Sequence, residues 1–447
     1  MKIFQLNKIP QILKLLIFLF VFQALFIISR SALIGSNSSQ NITEVLLSIL
    51  PDLILVSIFI YAFLKSIKIK LIYFDYLITI LFASNILLGV VLAQDIIHSI
   101  YAIRLSYLPM LTYFIFRIAS NSIKKQDYLF FFEALFNWFL IFAILSLVLY
   151  LFFPAVDIKL IGFVGGNVNY YLIRRMSGIF FSPVLWGTFM SASAIYTFIK
   201  LNNTFKYKDL IIFAIFWFSM VLSVSRGAIV SYYIGAVIVC LYSRQYELFL
   251  KSIAVSCIVF TVYTLFNPMA LSLIRFVSHS SVAIINDSGD ENTKIELYKA
   301  DSALVKDIKS TRIKYWVLSY RDFIEKPSGY GLGKAGHIGN RFYNTADLRE
   351  KAAIYSTDGW YLKIANETGI WGLFSYFSFF LIHFIFFLKH TNLLKNQLIL
   401  FSFVIFLMIS IQNIMSNVLD FYSFSCFYWL TIALVYNIHQ SSEYEHS

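Results

Sequence analysis

Charge is the first thing this chain lacks: Asp, Glu, Lys and Arg make up 13% of its 447 residues, against roughly a quarter in an ordinary soluble domain. With a mean hydropathy of +0.74, that shortfall excludes a soluble globular protein. Cysteine is scarcer still. Cys240, Cys257 and Cys426 each stand inside an apolar segment, which leaves neither a disulfide framework nor a CxxC metal site and makes them buried structural thiols. A small-residue cleavage pattern is missing after the apolar run 12–28, although Lys2, Lys8 and Lys14 mark its start. The run therefore reads as a first transmembrane helix, not a cleaved signal. Internal repeats, low-complexity segments and a second soluble domain are absent as well.

What the chain has instead is a succession of apolar runs, each near the ~20 residues that cross a hydrocarbon core. They fall near 12–28, 45–64, 71–93, 99–118, 128–153, 178–199, 209–224, 227–242, 247–266, 360–388, 396–414 and 419–437. Lipid requires every backbone polar group to be satisfied within the segment, and these runs are too long and too uniformly apolar for barrel strands. The expectation is an all-α integral membrane protein of about twelve transmembrane helices.

Lysines set the orientation. Lys65, Lys68 and Lys70, then Lys124 and Lys125, then Lys200, Lys206 and Lys208, then Arg244, then Lys389 and Lys395 fall in alternate loops, which makes those loops and both termini cytoplasmic. The connections 35–41 and 416–420 on the other side are poor in lysine. Topology thus accounts for most of the +12 net charge, and no nucleic acid is implied. One long hydrophilic stretch, 267–358, then becomes an extracytoplasmic loop between the ninth and tenth helices; spaced apolar residues such as Leu304, Ile308 and Ile313 suggest short amphipathic helices within it. The organisation expected is a membrane region 1–266, the loop 267–358, and a membrane region 359–447 ending in a cytoplasmic tail.

Arginine is not scarce on the extracytoplasmic side. Arg175 precedes the sixth span, Arg226 sits in Ser225-Arg226-Gly227 between two spans with almost no loop, and Arg312 precedes Trp316 in the long loop. Snorkelling at the interface explains any one of these. At Arg226 a guanidinium at the membrane boundary implies a partner, and several guanidinium forks on one face suit a diphosphate. The stretch from Lys326 to Gly336 holds a literal GxGxxG, Gly331 to Gly336. Without a βαβ unit it is not a dinucleotide fingerprint, and Ala335 after Gly333-Lys334 excludes a P-loop. It reads as a flexible turn that lets backbone approach a ligand or a helix end, with Gly331 and Gly333 as its pivots and His337 just beyond it. Asp358 and Trp360 come at the start of the tenth span: the carboxylate is either a helix cap or a general base, and the indole is of a kind that anchors at interfaces and stacks on sugars. No His and acid cluster with metal-ligand spacing occurs in the loop, so neither metal nor cofactor is expected.

Together these pieces form a pattern. Ser225-Arg226-Gly227, Arg312-x-x-x-Trp316, Pro327-x-x-Gly-x-Gly-x-Gly and the run Tyr361-Leu362 through Glu367-x-Gly369-x-x-Gly372 resemble, in order and spacing, the conserved region of the O-antigen ligase and polymerase family over about 210–390. Arg175-x-x-Gly178 with Ser182-Pro183 resembles a looser family pattern, although Val184 stands where Asn often follows. The resemblance implies a GT-C-like helical enzyme of the bacterial inner membrane, metal-independent, whose partners are an undecaprenyl diphosphate-linked oligosaccharide donor and acceptor, with a chain-length regulator as a further candidate. It also implies that Arg226 and Arg312 hold the diphosphate; Arg175, Trp316, Gly331, Gly333, His337 and Trp360 are the further candidates for substrate binding. Where ligases of the family carry His-Asn, this sequence has Asp358-Gly359, a departure that leans toward the polymerase branch and leaves Asp358 and His337 as rival bases.

Two other functions compete. A ligase acting on lipid A core or protein shares the donor and differs only in acceptor. A twelve-span lipid-linked glycan transporter fits the helix number, but two similar halves are not visible and the notable charges gather at one face, not at the midplane.

Overall fold

The computed structural model describes residues 9–34, 42–65, 71–93, 96–120, 123–153, 169–170, 173–180, 182–243, 250, 253, 311–336 and 359–444. The expected ninth span, 247–266, lies outside them but for two residues. Helices account for nearly all of the rest: α1 Gln11–Ile34, α2 Ile42–Lys65, α3 Tyr73–Ala93, α4 Ile96–Ser106, α5 Leu111–Ala119, α6 Lys125–Phe152, α7 Pro183–Asn203, α8 Tyr207–Leu222, α9 Arg226–Ser243, α10 Thr311–Glu325, α11 Trp360–Lys389, α12 Gln397–Met415 and α13 Tyr422–Tyr444. A two-residue antiparallel pair, Asn169–Tyr170 with Ile173–Arg174, precedes α7. Within the long hydrophilic stretch, α10 is the helix that the described residues contain.

Among the described residues, seven helical segments are long and apolar enough to cross a membrane: α3, α4 with α5, α6, α7, α9, α11 and α12. Their burial differs in a way that orders the bundle. In α7, 89% of the most apolar window is buried by protein, against 33% in α3, so α7 is central and α3 peripheral. On α3, Ile80, Leu87 and Val91 are exposed while Ile78, Phe82, Asn85 and Gly89 are buried, the division expected of a helix with one face to lipid and one to protein. Aromatic rings fill the interior: Phe136 of α6 stacks on Tyr196 of α7 at 4.1 Å, and Phe401 of α12 and Phe427 of α13 meet Phe136 edge-on. Where α9 crosses α12, a side chain on Gly235 would run into Met408 and Val404, the close approach that small residues permit between membrane helices.

Two expected spans are broken. The fourth, 99–118, is α4 and α5 joined by a 3-10 turn at Leu108–Met110, because Pro109 has no N–H to continue the helix. The tenth, 360–388, breaks at Gly369, whose φ of 66° and ψ of −153° are not helical. Beyond the break the chain folds back: Trp360 meets Tyr376 at 4.3 Å and Tyr361 stacks on Phe377 at 5.9 Å. In a straight helix those pairs, sixteen residues apart, would be about 24 Å from each other. A side chain on Gly372 would strike Ile364 and Thr368, so only hydrogen at that position lets the two arms close. The second arm, Ile370–Lys389, is the part that runs on along α3, with Trp371 Nε1 donating to Ser84 Oγ at 2.9 Å and Phe379 beside Phe74.

Candidate functional site

The turn carrying Arg226 is built before Arg226 itself. α8 stops at Leu222, Ser223 folds its hydroxyl back to the carbonyl of Met220 at 2.6 Å, and Val224 takes a φ of 52°, a left-handed conformation that a β-branched residue adopts only when its surroundings hold it there. Those surroundings are identifiable. Arg175 Nε donates to the Ser223 carbonyl at 3.0 Å and its Nη2 reaches the Val224 carbonyl at 3.4 Å, while Met176 N donates to Leu222 O at 2.9 Å. The guanidinium thus satisfies carbonyls that the end of α8 leaves open. The motif around it makes sense locally too. Gly178 has a φ of +56° and leaves room for the Trp186 ring; Ser182 caps α7 by accepting from Leu185 N, with Pro183 in the first turn. Gly187 of α7 lies where any side chain would meet Ser223 and Ser225. Arg226, the first residue of α9, is exposed.

The glycine turn proves to be a bracket on the broken helix. Tyr330 N donates to Asn366 O at 2.7 Å, Gly331 N to Glu367 O at 2.8 Å, and Ile370 N to Pro327 O at 2.9 Å. These bonds take up backbone groups that the break at Gly369 would otherwise leave unpaired, a condition for irregular backbone among membrane helices. The glycines are required by position: Gly331 (φ +104°) would drive a side chain into the backbone of Ala93, and Gly333 (φ +80°) into the His98 carbonyl. Tyr330 donates to the Asp322 carbonyl at 3.3 Å under the ammonium of Lys326. Burial, with Asp322 and Glu325 close by, holds its hydroxyl above the usual phenol pKa.

Below the bracket lies a buried charge cluster. Glu367 Oε1 accepts from Gly333 N at 3.0 Å, and its Oε2 stands 3.9 Å from Lys363 Nζ. Lys363 Nζ also donates to Asp420 Oδ1 at 2.5 Å and Ser106 Oγ at 2.8 Å, and Ser106 donates to Asp420 Oδ1 at 3.1 Å. Lys363 is 1% exposed. Next to it a cavity of about 20 Å³ is lined by Trp360, Tyr376, Ser410, Asn413 and Trp429 among others. Trp360 Nε1 and Asn413 Oδ1 have no hydrogen-bond partner among the described residues, and the space is that of a single water.

The end of α12 and the link after it join these parts. Gly227, next to Arg226, lies against Gln412, which donates to Thr188 Oγ1 at 2.7 Å; Gly359, next to Asp358, lies against the carbonyl of Ile414; Gly336, next to His337, lies against Asn417 and Lys363. Three segments that the sequence pattern singles out therefore meet one stretch, Gln412 to Asn417. Asp358 and His337 lie outside the described residues, as does the side chain of Arg312, whose backbone belongs to the first turn of α10. Trp316, one turn on, is half-buried and its Nε1 has no hydrogen-bond partner among the described residues. Trp360 is buried against Tyr376, and the N–H of Gly333 is engaged by Glu367.

Sequence reasoning gave no role to Lys363, Ser106 or Asp420, and met Glu367 only as part of the quoted motif. A signal for Lys363 and Glu367 was present: opposite charges four residues apart in an otherwise apolar helix are expensive unless they face protein.

Residues 211–377 match the family model described as O-Antigen ligase, the stretch that holds the Arg226 turn, α10, the glycine bracket and the broken helix. The match fits O-antigen and polysaccharide biosynthesis in a membrane protein. No curated protein matches the chain.

Proposed function

From the match of residues 211–377 to the O-antigen ligase family, we propose that this chain is a polymerase of undecaprenyl diphosphate-linked oligosaccharide repeat units, working at the outer face of the bacterial cytoplasmic membrane. Both termini are cytoplasmic in this reading, and the glycine bracket and the Arg226 turn face outward. The observation that carries it is the meeting of the Arg226 turn, the start of α11 and the end of the glycine bracket on the single stretch Gln412 to Asn417. Ser225-Arg226-Gly227 and the end of the glycine run meet there beside Gly359.

In the reaction an acceptor sugar hydroxyl attacks the anomeric carbon of the donor glycan. The new glycosidic bond forms as the bond to the lipid diphosphate breaks, and the diphosphate leaves with the electron pair. Charge growing on its oxygens is stabilised by Arg226 and Arg312 as bidentate donors. Asp358 takes the hydroxyl proton; Arg175 acts through the turn that it braces. Asp358-Gly359 in place of the His-Asn of ligases favours polymerisation over ligation.

The test is the length distribution of surface and lipid-linked glycan in a deletion strain complemented with the intact gene. A polymerase leaves acceptors with a single repeat unit when deleted. Long chains accumulating on undecaprenyl diphosphate over bare acceptors would instead make the protein a ligase, and an unchanged ladder would make it a transporter or unrelated to assembly. In the complementing gene, Arg226→Ala should lower chain growth on the order of 100-fold or more with the protein still inserted, and Asp358→Asn should lose activity that Asp358→Glu partly keeps.

A further inference from the structure

Lys363 stands where four separate pieces of chain come together. Its ammonium contacts Ser106 at the end of α4, Asp420 in the α12–α13 link, and Glu367 one turn along its own helix, while its side-chain carbons lie 3.1 Å from a Cβ placed on Gly336. Glu367 passes the connection on, because its other oxygen holds Gly333 N in the bracket. Side-chain exposures of 1% for Lys363, 2% for Glu367 and 4% for Asp420 put the whole cluster out of water. One cation facing two carboxylates in such a place has a definite asymmetry. Without Lys363 two buried acids face each other unpaired; without Asp420 a balanced Lys363–Glu367 pair remains.

We propose that Lys363 is a positioning residue for the glycosyl-transfer step, tying the glycine bracket, through Glu367, to the short arm of the broken helix and to the Asp420 link. This rests on the polymerase reading for its effect on catalysis, not for the network itself. Lys363 is buried and its ammonium is taken up by Ser106, Asp420 and Glu367, so its role is to position and not to react. It fixes the arm that begins beside Asp358, whereas the Arg226 turn is held independently by Arg175. Losing it should therefore disturb the chemical step more than donor binding.

Two readouts test this. Lys363→Met, Asp420→Asn and the double variant are assayed for repeat-unit joining with a defined lipid-linked donor. Each is also made with Ala335→Cys in a background whose three native cysteines are alanine, and labelled in membranes with a bulky maleimide. Ala335 is fully buried in the bracket, so its cysteine reports whether the bracket stays closed. The expected pattern is a fall of about 100-fold in kcat for Lys363→Met, the scale of a one-ångström misplacement, with KM for the donor changed less than about threefold. The Ala335→Cys thiol should become reactive in Lys363→Met, stay protected in Asp420→Asn, and regain part of its protection in the double variant, a non-additivity that follows because one buried acid is left without the cation in place of two. If Lys363→Met leaves the thiol protected, or if the single effects simply add, the network does not hold the bracket and the proposal fails. If labelling follows the expected pattern but the parent protein joins no repeat units, the polymerase reading fails while the network stands.

Discussion

Two buried ion clusters lie at opposite ends of α3, and they are built on different terms. At its first turn Asp75 receives Arg117 Nε at 2.8 Å and Nη2 at 2.9 Å, the Tyr113 hydroxyl at 2.5 Å and the backbone N–H of Ile72 at 2.7 Å. Arg117 Nη1 goes on to Asn437 at 2.6 Å. One acid meets one base in bidentate geometry, and both side chains are 0% exposed. At the other end, about 27 Å away along the helix, the bracket rests on Ala93, and the cluster beneath it has two acids for one base. There Asp420 Oδ2, Asn413 Oδ1 and Trp360 Nε1 lack partners among the described residues. A saturated network closes on itself and joins helices α3, α5 and α13. An unsaturated one, beside a cavity and the segments at Gly227, Gly336 and Gly359, is the kind of local inconsistency that proteins keep where they do chemistry.

The sharpest way to break this comparison is to remove the base at the saturated end. Arg117→Leu strands Asp75 in the interior and should destabilise the protein by roughly 3–5 kcal/mol. Its signature is a fall in the amount of inserted protein and in the thermal midpoint in detergent, with whatever protein survives retaining its specific activity. Asp75→Leu combined with Arg117→Leu should recover much of the loss, since a buried pair replaced by apolar residues is often neutral. Specific activity falling with Arg117→Leu in proportion to that at Lys363 would erase the distinction between the two ends.

A smaller effect is expected where the polar end depends on shape. Gly369→Ala keeps the chemistry and changes only the backbone, but its Cβ would lie 2.2 Å from the Pro327 carbonyl at a φ of 66°. Strain of about 1–3 kcal/mol should appear as a lower midpoint, and because it falls on the joint between bracket and broken helix, as a loss of repeat-unit joining beyond that of Arg117→Leu. Equal activity in the two variants at matched protein levels would mean that the bend at Gly369 is not part of the site.

The same contrast separates what could be read in sequence from what could not. Apolar runs were legible because lipid penalises every interruption, and α3, α6, α7 and α12 lie close to where hydropathy puts them. Pro109 was visible inside the fourth run, and the break it causes follows from proline's missing N–H. Gly369 was equally visible, yet nothing local distinguishes a helix glycine from a hinge; its break depends on backbone partners some forty residues earlier, from Pro327 to Gly331. The glycine turn had been open to a ligand or a helix end, and its backbone is taken by the helix break. Ser106 and Asp420 carried no signal at all, because their meaning comes only from lying beside Lys363.

Arg175 is where sequence pattern and fold meet, and it offers the finest test. By sequence it joined the arginines suited to a diphosphate; in the fold two of its guanidinium nitrogens point at the carbonyls of Ser223 and Val224. Lysine preserves the charge but cannot reproduce a planar fork aimed at two carbonyls. If the brace is its main work, Arg175→Lys should cost about one hydrogen bond, roughly 0.5–1.5 kcal/mol, and about tenfold in activity as the Arg226 turn loosens. Donor binding should then weaken as much at high ionic strength as at low, because the defect is one of geometry. A direct diphosphate contact predicts the other result: the charge retained by lysine would preserve binding at low salt and lose it as salt rises. The ionic-strength dependence of donor KM in Arg175→Lys therefore tells a positioning arginine from a binding one.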